Sequence, residues 1–231
     1  MGKGAALRWI ENKMLARHLR GTGVEIGALW RKFPVTSRAK VWYVDRINPS
    51  GLEHEYPEVG QQIVPPDVVG DAGQLPFQDG SLNFIIASHV LEHMPFPLAA
   101  LRHWYRTLAP GGVLVLKIPD KRYTFDARRR RTPLRHLIEE DRDPAAFDKR
   151  AHFQDWVENV VGHAPCTEAF DHATNRLMEI DYSIHYHVWT DDDVGALLDY
   201  TRVSMNLMWR PVLFLRAHFY RKECAVVLRR E

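Results

Sequence analysis

Cysteine is scarce in this chain: Cys166 and Cys224 are its two, too few for a disulfide framework. No apolar run is long enough to cross a bilayer, and the opening Met-Gly-Lys-Gly-Ala-Ala-Leu-Arg-Trp lacks the apolar centre of a secretory leader. Both absences predict a cytoplasmic protein without a membrane span. Neither sign of charge is in excess. The 31 Lys and Arg against 29 Asp and Glu leave a formal charge of +2, too mild for a face that tracks phosphates, so no nucleic-acid partner is expected. Internal repeats and low-complexity tracts are also missing, which leaves a globular domain.

What is present is a chain of 231 residues, 45% hydrophobic, long enough to bury one sizeable core and too short for two full domains. Apolar positions Leu7, Ile10 and Met14 predict a lead-in helix ended by Gly21-Thr-Gly23. Strands are expected over 24–26, 41–44, 68–69, 82–88 and 113–118, with a helix over 97–108 whose Leu101, Trp104, Tyr105 and Leu108 share a stripe. Residues 48–66, rich in Pro and Gly, read as irregular. Thr190-Asp-Asp-Asp193 reads as a capping-box helix start, and two last strands are expected near 203–209 and 225–228. Strands alternating with helices predict an α/β fold: a doubly wound, mostly parallel, seven-stranded Rossmann-like sheet. The alternation fails over 119–188, which reads as an insertion after the fifth strand and a lid over the acceptor side of a single domain, 1–231.

The stretch from Val69 to Met94 concentrates the chemistry. It joins a loop bearing Asp71, a tight turn at Asp79-Gly80, an apolar strand, and a strand end carrying Ser88, His89, Glu92 and His93. In open α/β sheets ligands bind beyond the carboxyl ends of such strands.

Four motifs in order, Val24-Glu-Ile-Gly-Ala28, Tyr43-Val-Asp45, Gly70-Asp-Ala-Gly-Gln-Leu-Pro-Phe77 and Leu108-Ala-Pro-Gly-Gly-Val-Leu114, the last following His-Val-Leu-Glu-His, resemble those of class I S-adenosylmethionine-dependent methyltransferases. The resemblance is to the broad group that includes the quinone-biosynthesis enzymes, and it covers roughly residues 22–120. It implies S-adenosyl-L-methionine as cofactor, held by Glu25, Gly27, Ala28, Asp45, Arg46, Asp71, Ala72, Gly73, Ser88 and His89. Within that set it implies Asp45 on the ribose hydroxyls and Asp71 on the adenine amino group. The sequence departs from the family where Leu29 and Arg31 replace the later glycines of the first turn.

Methyl transfer mainly requires alignment and exclusion of water. A general base helps a hydroxyl acceptor, and His89 or His93 are the candidates; packing on the cofactor and a backbone hydrogen bond are the alternative roles. The insertion holds His152, His163, His172, His185 and His187, at spacings that match no standard zinc motif, so no metal ligand set is assigned. Tyr123, His152, His185 and His187 are the acceptor-side candidates. The Arg128–131 run, followed by Glu139, Glu140, Asp141 and Asp143, reads as a solvated, internally compensated helix.

The expected enzyme moves a methyl group to a small-molecule or sugar acceptor, at oxygen as a first expectation, in a bacterial glycan or natural-product pathway. Two alternatives stand beside it: a non-catalytic or regulatory protein that keeps the fold, and a metal-assisted methyltransferase using the insertion histidines.

Overall fold

The computed structural model describes residues 3–59 and 62–231. Its centre is a seven-stranded sheet built from β1 (Gly21–Ile26), β2 (Ala39–Asp45), β3 (Val68–Val69), β4 (Leu82–Ser88), β5 (Leu108–Pro119), β6 (Trp209–Leu215) and β7 (Glu223–Arg230), in the order β3-β2-β1-β4-β5-β7-β6. The first five are parallel; β7 runs antiparallel to β5, and β6 antiparallel to β7. The middle strand, β4, buries Leu82, Phe84, Ile85, Ile86 and Ala87 on both faces, as a strand covered from two sides must. Phe84 lies so close over Gly23 that a Cβ there would fall 2.3 Å from the Phe84 carbonyl oxygen, which is why β1 carries glycine in its interior.

The two faces are covered unequally. On one, α3 (Pro97–Thr107) and α7 (Asp191–Val203) bring Leu98, Leu101, Trp104, Leu197 and Leu198 onto the strands. On the other, Leu15, Ala16 and Leu19 at the end of α1 (Lys3–Ala16) share the cover with Phe33, from a loop that stands where a helix could follow β1.

Several expected boundaries move. Asn48 accepts a 2.9 Å hydrogen bond from the Gly51 amide and Pro49 opens α2 (Pro49–Glu55), so part of the expected irregular segment is helix; the Asn cap and following Pro are its start signal. The helix α7 runs through Val203, and the sixth strand begins only at Trp209; Pro211 fits there because β6 is an edge strand. The chain between β5 and α7 holds α4 (Leu134–Arg142), α5 (Lys149–Trp156), a π turn over Val157–Val161 and α6 (Glu168–Glu179), around a small core of Phe153, Trp156, Ile184 and Tyr186. Arg128–131 precede α4 instead of lying in a solvated helix, and Arg129 is buried, bonded to Asp126, Asp155 and the His185 carbonyl.

Candidate functional site

At the carboxyl ends of β1, β2 and β4 lies a cavity of about 710 Å³. Gly27, Ala28, Asp45, Arg46, Ala72, Ser88 and His89 line it on the sheet side, and Phe125, Trp156, Tyr182 and His185 reach it from the insertion. Gly27 turns the chain out of β1 with φ +64°, the left-handed region where glycine alone carries no side-chain penalty. Leu29 (φ 48°) and His89 (φ 56°) hold the same conformation without that freedom, and both line the cavity, so the backbone is strained where a ligand would sit.

Three carboxylates line this space, Glu25, Asp45 and Glu223. Glu25 is 2% exposed, and both its oxygens accept from the Phe33 amide, at 2.9 and 3.0 Å, which pins the loop after β1. Burial pushes its pKa up to about 7, against the opposing pull of the Phe33 amide and the Lys32 charge. At Asp45, Oδ1 accepts from the Arg46 amide at 2.8 Å, and burial raises the carboxyl's pKa.

Along the cavity wall runs an ionic chain through Lys117, Glu223 and His89. Lys117, in the apolar run of β5, places Nζ 2.5 Å from Glu223 and 3.2 Å from Glu11, joining β5 to β7 and α1. Glu223 also bonds His89, whose Nδ1 lies 3.6 Å from the buried Glu92. Burial would lower the His89 pKa, but the Glu223 hydrogen bond and the Glu92 and Glu223 charges outweigh it and hold the ring toward its cationic form. His93 is the opposite case. Its Nδ1 lies 2.9 Å from the Ile184 carbonyl and 3.1 Å from Ser183 Oγ, and burial, with the charge of His185 beside it, drives its pKa down to about 3. His185 in turn meets Asp126 at 2.7 Å.

The structure therefore gathers Glu25, Gly27, Ala28, Asp45, Arg46, Ala72, Ser88, His89, His93 and His185 on one cavity. Asp71 and Gly73 stand in the adjoining loop but off the cavity wall: Asp71 caps a short turn by accepting from the Gly73 amide at 2.7 Å. That loop is anchored from behind by Trp104 Nε1, which donates to the Ala72 carbonyl at 2.7 Å. Tyr123, His152 and His187 lie away from this cavity; His152 lines a second one of about 420 Å³. The residues missed by sequence reasoning are Lys117, Glu223 and Asp126. For Lys117 the signal was a lone cation inside Val113-Leu-Val-Leu-Lys-Ile118.

Comparison with known proteins adds a second line. The family model described as "Methyltransferase domain" matches residues 2–116. The ubiquinone/menaquinone biosynthesis C-methyltransferase of Neisseria gonorrhoeae (strain NCCP11945) is 34% identical over 97 residues, 42% of this chain and 38% of that protein. A demethylmenaquinone methyltransferase of Staphylococcus epidermidis (strain ATCC 12228 / FDA PCI 1200) is 42% identical over 48 residues, 21% of this chain and 20% of its own length. The similarity thus spans well under half of these relatives. Among solved structures, a SAM-dependent methyltransferase of Methanosarcina mazei superposes with a TM-score of 0.50 at 15% identity, covering 94% of this chain and 96% of that one, a likeness of fold.

Proposed function

The chain belongs to the class I S-adenosylmethionine-dependent methyltransferases, and from that premise we propose that it methylates a small, flat aromatic acceptor of the phenol or quinol type. The observation that carries this reading is the two-sided cavity. Its sheet side offers a glycine turn and carboxylates, and its insertion side offers Phe125, Trp156 and Tyr182. Ring faces of that kind suit a planar acceptor better than a hydroxyl-covered sugar. Relatives named for ubiquinone and menaquinone biosynthesis support the same acceptor class, and their printed activity, C-methylation, favours carbon over oxygen as the attacking atom.

The donor fits the residues present. Gly27 has no Cβ to intrude, Asp45 Oδ1 is occupied by the Arg46 amide while Oδ2 is open to ribose hydroxyls, and Glu25 offers a carboxylate to a cationic ligand. When bound, the sulfonium supplies an already electrophilic methyl group. The remaining work falls to side chains. His93, neutral and with Nδ1 donating to the Ile184 carbonyl, can accept a hydrogen bond at Nε2 and so orient a phenol or quinol hydroxyl, but with its pKa driven down to about 3 it is too weak a base to carry that proton away. His89 is held toward the cation by Glu223 and Glu92, so it is a positioning group rather than the base. Residues 119–188 then act as the acceptor-side lid, closing over the ring and excluding water.

Mass spectrometry with isotopically labelled donor and a panel of quinols, phenols and sugars tests this. A labelled methyl gain on a quinol or phenol is expected. Transfer confined to sugars would overturn the acceptor class, and no donor binding by calorimetry at millimolar concentration would overturn the enzyme in favour of a regulatory protein with this fold.

A further inference from the structure

A second group of titratable side chains lies outside the donor cavity. His136 and Glu140, four residues apart, share one face of α4. His152 comes from α5, and His187 from the extended segment before α7. The three imidazoles surround one carboxylate: Glu140 Oε1 lies 3.0 Å from His136 Nε2 and 2.8 Å from His152 Nε2, and Oε2 lies 3.6 Å from His187 Nε2. One nitrogen from each histidine falls within 4.8 Å of the others. The cluster borders the 420 Å³ cavity through His136, Glu140 and His152, so a path from solvent exists.

Hydrogen bonding within the group is incomplete in a telling way. His152 Nδ1 meets the Tyr186 carbonyl at 3.0 Å, which assigns the proton to Nδ1 in the neutral ring and turns the Nε2 lone pair toward a carboxylate oxygen. In that tautomer two acceptors face each other, a contact that either a second proton on the ring or a shared metal cation resolves. His187 Nε2 donates to the Pro95 carbonyl at 3.1 Å, which leaves its lone pair on Nδ1, and that atom and Glu140 Oε2 are buried without a hydrogen-bond partner. A backbone carbonyl holding the far nitrogen of an imidazole is the outer-shell support that metal-bound histidine uses.

We propose that His136, Glu140, His152 and His187 form a site for a first-row divalent metal, zinc foremost, which staples α4, α5 and the segment carrying His185. Three imidazoles and a carboxylate are a borderline donor set suited to zinc, cobalt or nickel rather than to calcium or magnesium. Tetrahedral zinc with bonds near 2.1 Å separates its ligand atoms by about 3.4 Å, so side-chain shifts of about an ångström complete the shell. The site shares no lining residue with the donor cavity, which makes it a structural tie rather than an activator of the methyl acceptor. Its influence on that cavity is indirect, through Tyr182, Ser183 and His185 on the segment that His187 anchors.

The test uses untagged full-length protein stripped with chelator, then titrated with zinc or cobalt and read by elemental analysis and thermal unfolding. Stoichiometric zinc is expected, with a melting temperature higher by about 5–10 °C at a hundredfold excess over the dissociation constant. Cobalt should give the ligand-field band of a four-coordinate site. His136→Ala, whose ring is 40% exposed and whose loss leaves the core intact, should abolish stoichiometric binding, and His172→Ala, on exposed α6 surface, should not. Absence of metal and of any thermal shift in the unsubstituted protein would overturn the site, as would equal loss in both variants. None of these readings depends on methyl transfer.

Discussion

At Asp45 one carboxylate oxygen is engaged by the next residue's amide, and the other is free for a ligand. Replacing it by alanine removes up to two charge-assisted hydrogen bonds, so donor affinity should fall about 10- to 100-fold by calorimetry, with the fold retained by circular dichroism. Glu25 makes a sharper prediction because its pKa is raised to about 7 from an ordinary 4.5. A carboxyl whose folded pKa is raised contributes stability present below pH 4.5 and lost as pH rises to about 7, on the order of 3 kcal/mol across that window. A cationic ligand needs the ionised form, so donor affinity should rise with pH through the same window, and Glu25→Gln should flatten that dependence in calorimetry at pH 6 and 8. Both residues were legible in the sequence because each ends a parallel strand, where the fold class alone predicts a ligand. Asp71 stood out by its motif, yet its side chain caps a local turn, a use that no spacing rule separates from adenine contact.

The loop carrying Ala72 depends on a neighbouring element for its shape. Trp104 is wholly buried on α3, and its indole N–H donates to the Ala72 carbonyl, while His103 Nε2 meets the Leu75 carbonyl at 3.1 Å. Trp104→Phe keeps an aromatic ring but leaves that carbonyl without its donor and opens a gap. The expected cost is about 2–3 kcal/mol in urea unfolding, with donor affinity falling several-fold while acceptor selectivity stays unchanged. An unchanged donor affinity would show that the loop holds its shape without the α3 anchor. The five parallel strands and β7 were readable because they are short apolar runs, and α3 carries a clear stripe, whereas the sixth strand, expected near 203–209, lies at Trp209–Leu215. The insertion was not readable in this way. Its helices are short, and their placement is fixed by contacts between distant residues, such as Arg129 with Asp155 and His152 with Glu140, which no local pattern reports.

Across the whole molecule, Lys117 is the point where the amino-terminal helix, the central sheet and its antiparallel edge meet. It is 5% exposed and lies between Glu11 of α1 and Glu223 of β7, and Glu223 passes the contact on to His89 at the cavity. Burial alone would raise the Glu223 pKa, but the His89 hydrogen bond and the Lys117 charge carry it down to about 2. A carboxylate with a depressed folded pKa contributes stability present above its ordinary 4.5 and lost as pH falls toward 2, so Glu223 opposes Glu25 in sign and contributes, with Glu140, to the acid limb of unfolding. Lys117→Met preserves volume but takes the lysine charge from two carboxylates, leaving Glu223 with His89 and Glu11 with Arg221 at 3.6 Å, an expected loss of about 1–3 kcal/mol at pH 7. Without the lysine Glu223 gains a proton more readily in the folded state, so acidification to pH 4 relieves the variant while the unsubstituted protein draws no such relief. The gap between the two urea midpoints should therefore narrow from pH 7 to pH 4. A gap of constant size would mean that Lys117 acts through packing alone, and that the cavity and α1 are joined by apolar contact rather than by charge.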